Sequence, residues 1–451
     1  MNGYQIIKEA SFAILNICGE QNFEPYYEYR ISDFVITFEI DEGYLFHSCM
    51  TGELIFVTNI QYARLYLIKH WFFVRVGIDE KAFVSQIRKL MRCLKNNQKP
   101  GYKKIEIITT TSCNANCYYC YERHFKTMSM TIETAQKVID FILNHRYNNK
   151  IHIKWYGGEP LMNIPIIDTI SMGLVNTGID LRSSMISNGY LFNKDIANKA
   201  KNIWNLFNVR ITLDGTESVY NAIKRYNEKS INSFQKVIAN IDALINNNIS
   251  VTIRFNIEEY NIDDITLLID YLCNKYHGNR LIDFMLRPLN NTITNHFIES
   301  TGKKRDDVLD RISSLQNNIY DAGFDINCGK LSGMTLGTCL ADSGRYIMIK
   351  PNGELAYCSI DFDKQAFGNV FNKKQDIEFP NLEDYPIEKQ QICDHCQMFP
   401  LCFPSKLCPS CIKPICDETQ KAYNLADRKL IMKKMYRSYI KNNSYETKKY
   451  I

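Results

Sequence analysis

Three cysteines crowd into TTTSCNANCYYCYE, residues 109–122: Cys113, Cys117 and Cys120. Three residues separate the first pair and two the second. A structural zinc site needs four ligands, and its cysteines usually come as two close pairs. Three thiolates on one short loop suit three corners of a four-iron, four-sulfur cube. The remaining iron is then open to a substrate or cofactor. His124 is close enough in sequence to complete a zinc knuckle, so the triplet alone leaves that alternative standing.

A second concentration lies towards the C-terminus. Of 16 cysteines, nine fall between Cys328 and Cys416: Cys328, Cys339, Cys358, Cys393, Cys396, Cys402, Cys408, Cys411 and Cys416. The pairs Cys393/Cys396 and Cys408/Cys411 also have zinc-ribbon spacing. Cys18, Cys49, Cys93 and Cys273 are isolated and read as small core hydrophobes. In a reducing compartment, clustered thiols more often bind metal or do chemistry than form disulfides.

The elements that must position these groups can be read from periodicity. The chain has 451 residues, enough for two or three domains, and 45% of them are apolar. The formal charge of +5 is too weak to argue for nucleic acid. No apolar run is long enough to span a membrane, and the N-terminus lacks the pattern of a signal peptide. The expectation is a cytoplasmic protein with no membrane or nucleic-acid partner.

Residues 1–95 read as a separate unit, with a hairpin turned at Thr51-Gly52 and two helical stretches. From residue 96 to 325, strand-like and helical segments alternate. The strands are KIEIITT, IHIKWY, SSMIS, VRITLD, SVTIRFNI and LIDFMLRPL, with Thr131 the N-cap of the first helix. Six such repeats predict a right-handed parallel α/β sheet, an open (β/α)6 partial TIM-like barrel, with its chemistry at the carboxyl ends of the strands. Residues 326–420 break the pattern and carry the cysteines; YIMIKPNGELAYC predicts a hairpin turned at Pro351-Asn352-Gly353. Residues 421–451 read as a basic helix and tail with a solvated face.

The triplet follows the first strand of the alternation, and there the chain resembles the radical S-adenosylmethionine (radical SAM) superfamily. WYGGEPLM after the second strand is similar to the superfamily's GGEP segment, here Gly157, Gly158, Glu159 and Pro160. That segment cradles the cofactor's methionine ammonium, because glycines let backbone carbonyls approach closely. Ser187 and Asn188 in ISNGY resemble the segment that meets ribose and carboxylate. ITLDG, with Asp214, and RFN, with Arg254, also recur in relatives. The resemblance places Tyr119 near the adenine, Arg254 on the cofactor carboxylate, and Asp214 and Arg225 among the cofactor contacts. Ser187, Asn188, Arg225 and Arg254 could each equally be structural. The resemblance implies that Cys113, Cys117 and Cys120 hold a [4Fe–4S] cluster that reductively cleaves S-adenosylmethionine. The 5′-deoxyadenosyl radical so released takes a hydrogen atom from the substrate.

The later cysteines resemble the SPASM extension, which holds two auxiliary [4Fe–4S] clusters in peptide-modifying members. By that resemblance one cluster takes Cys328, Cys339, Cys358 and Cys408. The other takes Cys393, Cys396 and Cys402, closed by Cys411 or Cys416. Lys406 stands where relatives have a cysteine, and nine thiols exceed the eight required, so the last ligands stay open. Residues 1–95 resemble, weakly, the winged-helix-like α+β module that captures a leader peptide as an added strand; a simple cap on the barrel is the alternative. Sulfatase-activating relatives carry an acid directly after the cysteine matched by Cys358, where this chain has Ser359. Asp361 or Asp363 is the nearest candidate base, and Asp361 is the one assigned. The expected activity is thioether formation in a cysteine-rich precursor peptide carrying a leader, with a flavodoxin or ferredoxin as electron donor. Sulfatase activation, carbon–carbon cross-linking and epimerisation are the other radical outcomes.

Overall fold

A computed structural model describes residues 3–96, 101–228, 232–289, 302–326, 331–335, 344–358, 366–372, 396–401 and 418–447. Contacts divide the chain into two units. One comprises residues 1–98, 328–343 and 381–451, and the other 99–327 and 344–380.

The first unit begins with β1 (Tyr4–Lys8), α1 (Phe12–Cys18), β2 (Tyr29–Ile31), β3 (Val35–Ile40), β4 (Gly43–Ser48) and β5 (Leu54–Val57). It continues with α2 (Ile60–Lys69), β6 (Phe73–Arg75) and α3 (Glu80–Asn96). Strands β4 and β5 form the expected hairpin in a four-stranded antiparallel sheet, ordered β1-β5-β4-β3. Asn59 caps α2 by accepting from Tyr62 N at 3.1 Å. The core of this unit is shared with distant segments. Phe34, Leu45, Cys49 and Phe56 pack with Leu331, Cys396, Phe399 and Met432. The last of these lies on α11 (Glu418–Thr447), whose Leu430, Ile431 and Met432 are buried. The solvated face expected for this basic helix is therefore only part of it, because an apolar stripe fills the core. Of the isolated cysteines, Cys49 is buried, Cys18 and Cys273 are half-buried and Cys93 is exposed, so Cys93 is no core residue.

The second unit is an open, partial barrel. Its strands are β7 (Lys104–Thr110), β8 (Lys150–Gly157), β9 (Asp180–Ser187), β10 (Leu206–Thr212), β11 (Ser250–Ile257) and β12 (Ile282–Pro288). They are interleaved with α4 (Ile132–His145), α5 (Ile164–Asn176), α6 (Lys194–Asn202), α7 (Glu217–Lys224), α8 (Ser233–Asn246) and α9 (Ile262–Lys275). After β12 come α10 (Gly302–Asp321) and β13 (Asp325–Ile326). All neighbouring pairs from β7 to β12 are parallel and in chain order, as the alternation predicts. Thr131 caps α4, accepting from Thr134 N at 3.1 Å. β10 begins at Leu206, three residues before the VRITLD run that marks it in sequence, and α7 was not foreseen.

The hairpin β14 (Tyr346–Ile349) and β15 (Glu354–Ala356) turns at Pro351-Asn352-Gly353, with β16 (Gly368–Asn369) beyond it. β14 then pairs parallel with β7, extending the barrel sheet on its open side. Gly353 has a φ of +83°, which an L side chain rarely adopts. Among the described residues no helix is long and apolar enough to cross a membrane.

Candidate functional site

The cysteine loop leaves the carboxyl end of β7 and is fixed from two sides. Gly158 N donates to Thr110 O at 3.1 Å and Glu159 N to Ser112 O at 2.9 Å, which holds it to the end of β8. Asn116 N donates to Lys224 O at 2.8 Å, and Asn227 N to Asn114 O at 3.1 Å, which holds it to the end of α7. The glycines are required by this approach. A Cβ on Gly157 would lie 2.2 Å from Thr110 O, and one on Gly158 would lie 2.4 Å from Ser112 O. Backbone carbonyls cannot rotate aside, so no larger residue fits without moving the loop.

The three thiols are half-buried and within electrostatic reach of one another. Burial pushes the Cys113 thiol up to about 12, with the charges of Glu159, Cys117 and Cys120 adding to it and the Ala115 N–H opposing. Cys120 is pushed up to about 11, again by burial first and the Glu122 carboxylate second. Burial also raises Cys117, opposed by the Lys224 ammonium. Without a bound cation such thiols stay protonated, and a cationic cluster would have to take them as thiolates. Beside them the Nδ2 of Asn114 is buried and has no partner, while its Oδ1 accepts from Asn188 Nδ2 at 2.7 Å. Among the described residues no three metal-ligating side chains converge as they would on a single metal ion; an all-sulfur donor set beside a glycine cradle and an orphaned amide suits the larger iron–sulfur cluster, with a polar cofactor at its side.

Glu159 sits at the centre of the next layer, fully buried. Its carboxylate accepts from Asn188 N at 2.8 Å, Ser187 Oγ at 3.0 Å and Leu161 N at 3.2 Å. Burial pushes its pKa up to about 7, and those hydrogen bonds hold it from rising further. The side chain therefore locks the end of β9 to the end of β8. Pro160 opens the short turn that follows, and its carbonyl accepts from Thr109 Oγ1 at 3.3 Å.

On the other flank, Tyr119 points to the end of β10. Its hydroxyl donates to Asp214 Oδ2 at 2.5 Å and accepts from Lys224 Nζ at 3.0 Å. Lys224 and Asp214 form an ion pair of 2.8 Å in which both side chains are buried. Asn256 N donates to Asp214 Oδ1 at 3.3 Å, tying β11 to the same carboxylate. Tyr118 reaches outward to Glu258 and the hydroxyl of Tyr260, which fastens the loop to the end of β11.

The structure thus gathers Cys113, Cys117, Cys120, Tyr119, Gly157, Gly158, Glu159, Pro160, Ser187, Asn188 and Asp214 at one end of the parallel strands. Arg254 is half-buried on β11, and its Nε donates to Asn256 Oδ1 at 2.9 Å. Arg225 is exposed, with a φ of +48° that turns it out at the end of α7. The inward cation is its neighbour Lys224, which the sequence reading missed. The signal was available: Tyr220 and Lys224 are four apart on α7 and share its buried face. Cys358 follows β15 and is half-buried. Cys396 is buried in the apolar core of the first unit. Asp361, Cys328, Cys339, Cys393, Cys402, Cys408, Cys411 and Cys416 lie outside the described residues.

Comparison with known proteins agrees with this geometry. The Radical SAM superfamily matches residues 107–272. An uncharacterised protein of Methanocaldococcus jannaschii is 34% identical over 120 residues, covering 26% of this chain and 40% of its own. The radical SAM cyclopropyl synthase TigE of Paramaledivibacter caminithermalis is 28% identical over 218 residues, covering 41% of this chain and 44% of its own. The matches thus span less than half the length of these curated relatives. Among solved structures, anSMEcpe with bound AdoMet and the Cp18Cys peptide has a TM-score of 0.55 at 15% identity, covering 74% of this chain and 99% of that one. SuiB of Streptococcus suis bound to precursor peptide SuiA has a TM-score of 0.51 at 13% identity, covering 83% and 95%. At such identities these two show a shared fold. The β7–α9 region, with its cysteine loop at the strand ends, is a domain of the radical SAM superfamily.

Proposed function

We propose that this protein modifies a ribosomally made precursor peptide, forming a thioether between a cysteine sulfur and a carbon of the same peptide. The superfamily implies S-adenosylmethionine and a [4Fe–4S] cluster. When bound, they supply a one-electron cleavage of the sulfonium and a hydrogen-atom abstraction. The observation that carries the reading is the loop of Cys113, Cys117 and Cys120 locked against the Glu159 clamp. Those thiols would hold the cluster. Gly157, Gly158, Ser187 and Asn188 would hold the cofactor's polar end, and Tyr119 would flank its base. The Lys224–Asp214 pair fixes Tyr119, and the buried clamp helps exclude water.

The peptide substrate is supported from two directions. Two solved structures of similar fold hold peptides: anSMEcpe with Cp18Cys and SuiB with its precursor SuiA. In the first unit, β3 lies at an edge of its sheet, beside a groove lined by Phe38, Ile40, Tyr436 and Ile440. A leader could add there as a strand, backbone pairing giving affinity and the groove selectivity. Auxiliary clusters on the C-terminal cysteines, including Cys358 and Cys396, would bind substrate sulfur or accept the electron left after bond formation. A flavodoxin or ferredoxin would supply the initiating electron.

A second reading, carbon–carbon bond formation, is favoured by the match to a cyclopropyl synthase. One experiment separates the two. The protein is co-expressed with a cysteine-rich precursor, and the product is alkylated and weighed. Loss of a hydrogen pair with one thiol protected per event means a thioether. The same mass loss with every thiol alkylated means a carbon–carbon bond. Unchanged mass contradicts both.

A further inference from the structure

The strand register decides which side chains share the inner face of the partial barrel. Arg210 on β10 pairs with Thr252 on β11, and Thr252 with Asp283 on β12. Two residues further along, Thr212 pairs with Arg254, and Asn256 pairs with Arg287 beyond that. Side chains alternate along a strand, so Arg210, Arg254 and Arg287 project to one face. The other face, with Val209, Ile211, Ile253, Phe255 and Leu286, is sealed in the core under the helices. The three arginines are half-buried, so their face remains open to solvent and to a ligand.

This face has an excess of positive charge. Lys154 of β8 is paired with Glu106 of β7 at 2.7 Å, which occupies that acid. Asp283 accepts from Thr252 Oγ1 at 3.1 Å. Arg182 of β9 stacks on Phe207 at 3.7 Å from the ring centre. The Nε of Arg210 is buried and donates to nothing. Burial first, then the charges of Arg254 and Arg287, act against the charge on Arg210, with Asp283 opposing them. Like charges gathered on one partly buried sheet face produce a field that favours an anion.

We propose that this inner face binds a carboxylate of the substrate, an Asp or Glu side chain of the peptide held by Arg210, with Arg287 adding to the field on the same face. Guanidinium suits the task because its planar fork meets a carboxylate with two parallel hydrogen bonds. Arg254, held by Asn256, is left for the cofactor. The target sequence therefore carries an acidic residue next to the modified position. This inference rests on the peptide reading above and narrows it.

The test uses the full chain, reconstituted anaerobically and saturated with S-adenosylmethionine. Two fluorescent peptides are titrated by anisotropy: a Cys-Ser-Asp repeat and its Asn counterpart. N-acetylaspartate serves as a competitor without a peptide chain. The acidic peptide is expected to bind about tenfold or more tightly than the neutral one. Arg210→Gln and Arg287→Gln are expected to abolish that preference and to leave S-adenosylmethionine affinity unchanged. Equal binding of the two peptides overturns the inference and leaves the peptide reading intact. So does a preference that survives both substitutions. A loss of S-adenosylmethionine affinity in both variants overturns it too, by assigning the cluster to the cofactor. Binding of neither peptide removes the peptide reading; a rise in the wild-type melting temperature with N-acetylaspartate, lost in Arg210→Gln, would then still place a carboxylate on this face.

Discussion

The ammonium of Lys224 lies 2.8 Å from the carboxylate of Asp214, and neither has solvent to fall back on. Breaking such a pair from one side leaves an uncompensated buried charge. Asp214→Asn is expected to cost about 3–5 kcal/mol. The double variant Asp214→Asn/Lys224→Met removes both charges and is expected to recover most of that loss. Urea denaturation of the metal-free protein checks it. A double variant no more stable than Asp214→Asn would show that the pair is not what the site depends on.

Gly158 tests the meeting of β8 with the cysteine loop. A methyl group there would stand 2.4 Å from Ser112 O and 2.6 Å from Thr111 O. Gly158→Ala is expected to destabilise the protein by about 1–3 kcal/mol, since the clash is with backbone. It is also expected to weaken S-adenosylmethionine binding by displacing the loop. Calorimetric titration with the cofactor, beside a thermal melt, measures the two effects separately.

His152 gives a pH dependence of known sign. Its Nε2 is 2.9 Å from Ser184 Oγ, and burial first, then Lys104, Arg182 and Lys154, pull its pKa down to about 4. Unfolded, it titrates near ~6.5. Between those values the unfolded chain binds more protons, so stability falls as pH drops through this window. His152→Gln is expected to flatten that part of the stability curve and leave it unchanged above it. Identical curves for the two proteins would place His152 in solvent.

Much of this was legible beforehand, and particular residues show why. The strands β7 to β12 announce themselves because each is a short apolar run bounded by turns, and parallel order follows from the helices between them. The cysteine triplet and GGEP were visible because their chemistry fixes their spacing. The pairing of β14 with β7 was not, because it joins Tyr346 to Lys104 across the whole barrel, and local pattern carries no such information. Lys224 was overlooked for a different reason. A lysine ending a helix normally faces water, so its i, i+4 spacing from Tyr220 on the buried face was passed over, while the positive φ of Arg225 turns the other cation outward. Glu159 was read as part of a cofactor cradle; the bonds its carboxylate makes to Ser187 and Asn188 join strand ends that are distant in sequence, so local pattern did not show them.

The account depends on three thiols holding a cube with one iron open. The most direct measurement is iron and acid-labile sulfide per chain after anaerobic reconstitution. It is made on the wild type and on the combined Cys113→Ala, Cys117→Ala, Cys120→Ala variant. The variant is expected to lose about four irons and four sulfides, and with them the production of 5′-deoxyadenosine under strong reductant. Equal iron in both proteins, or zinc without sulfide in the wild type, would contradict it.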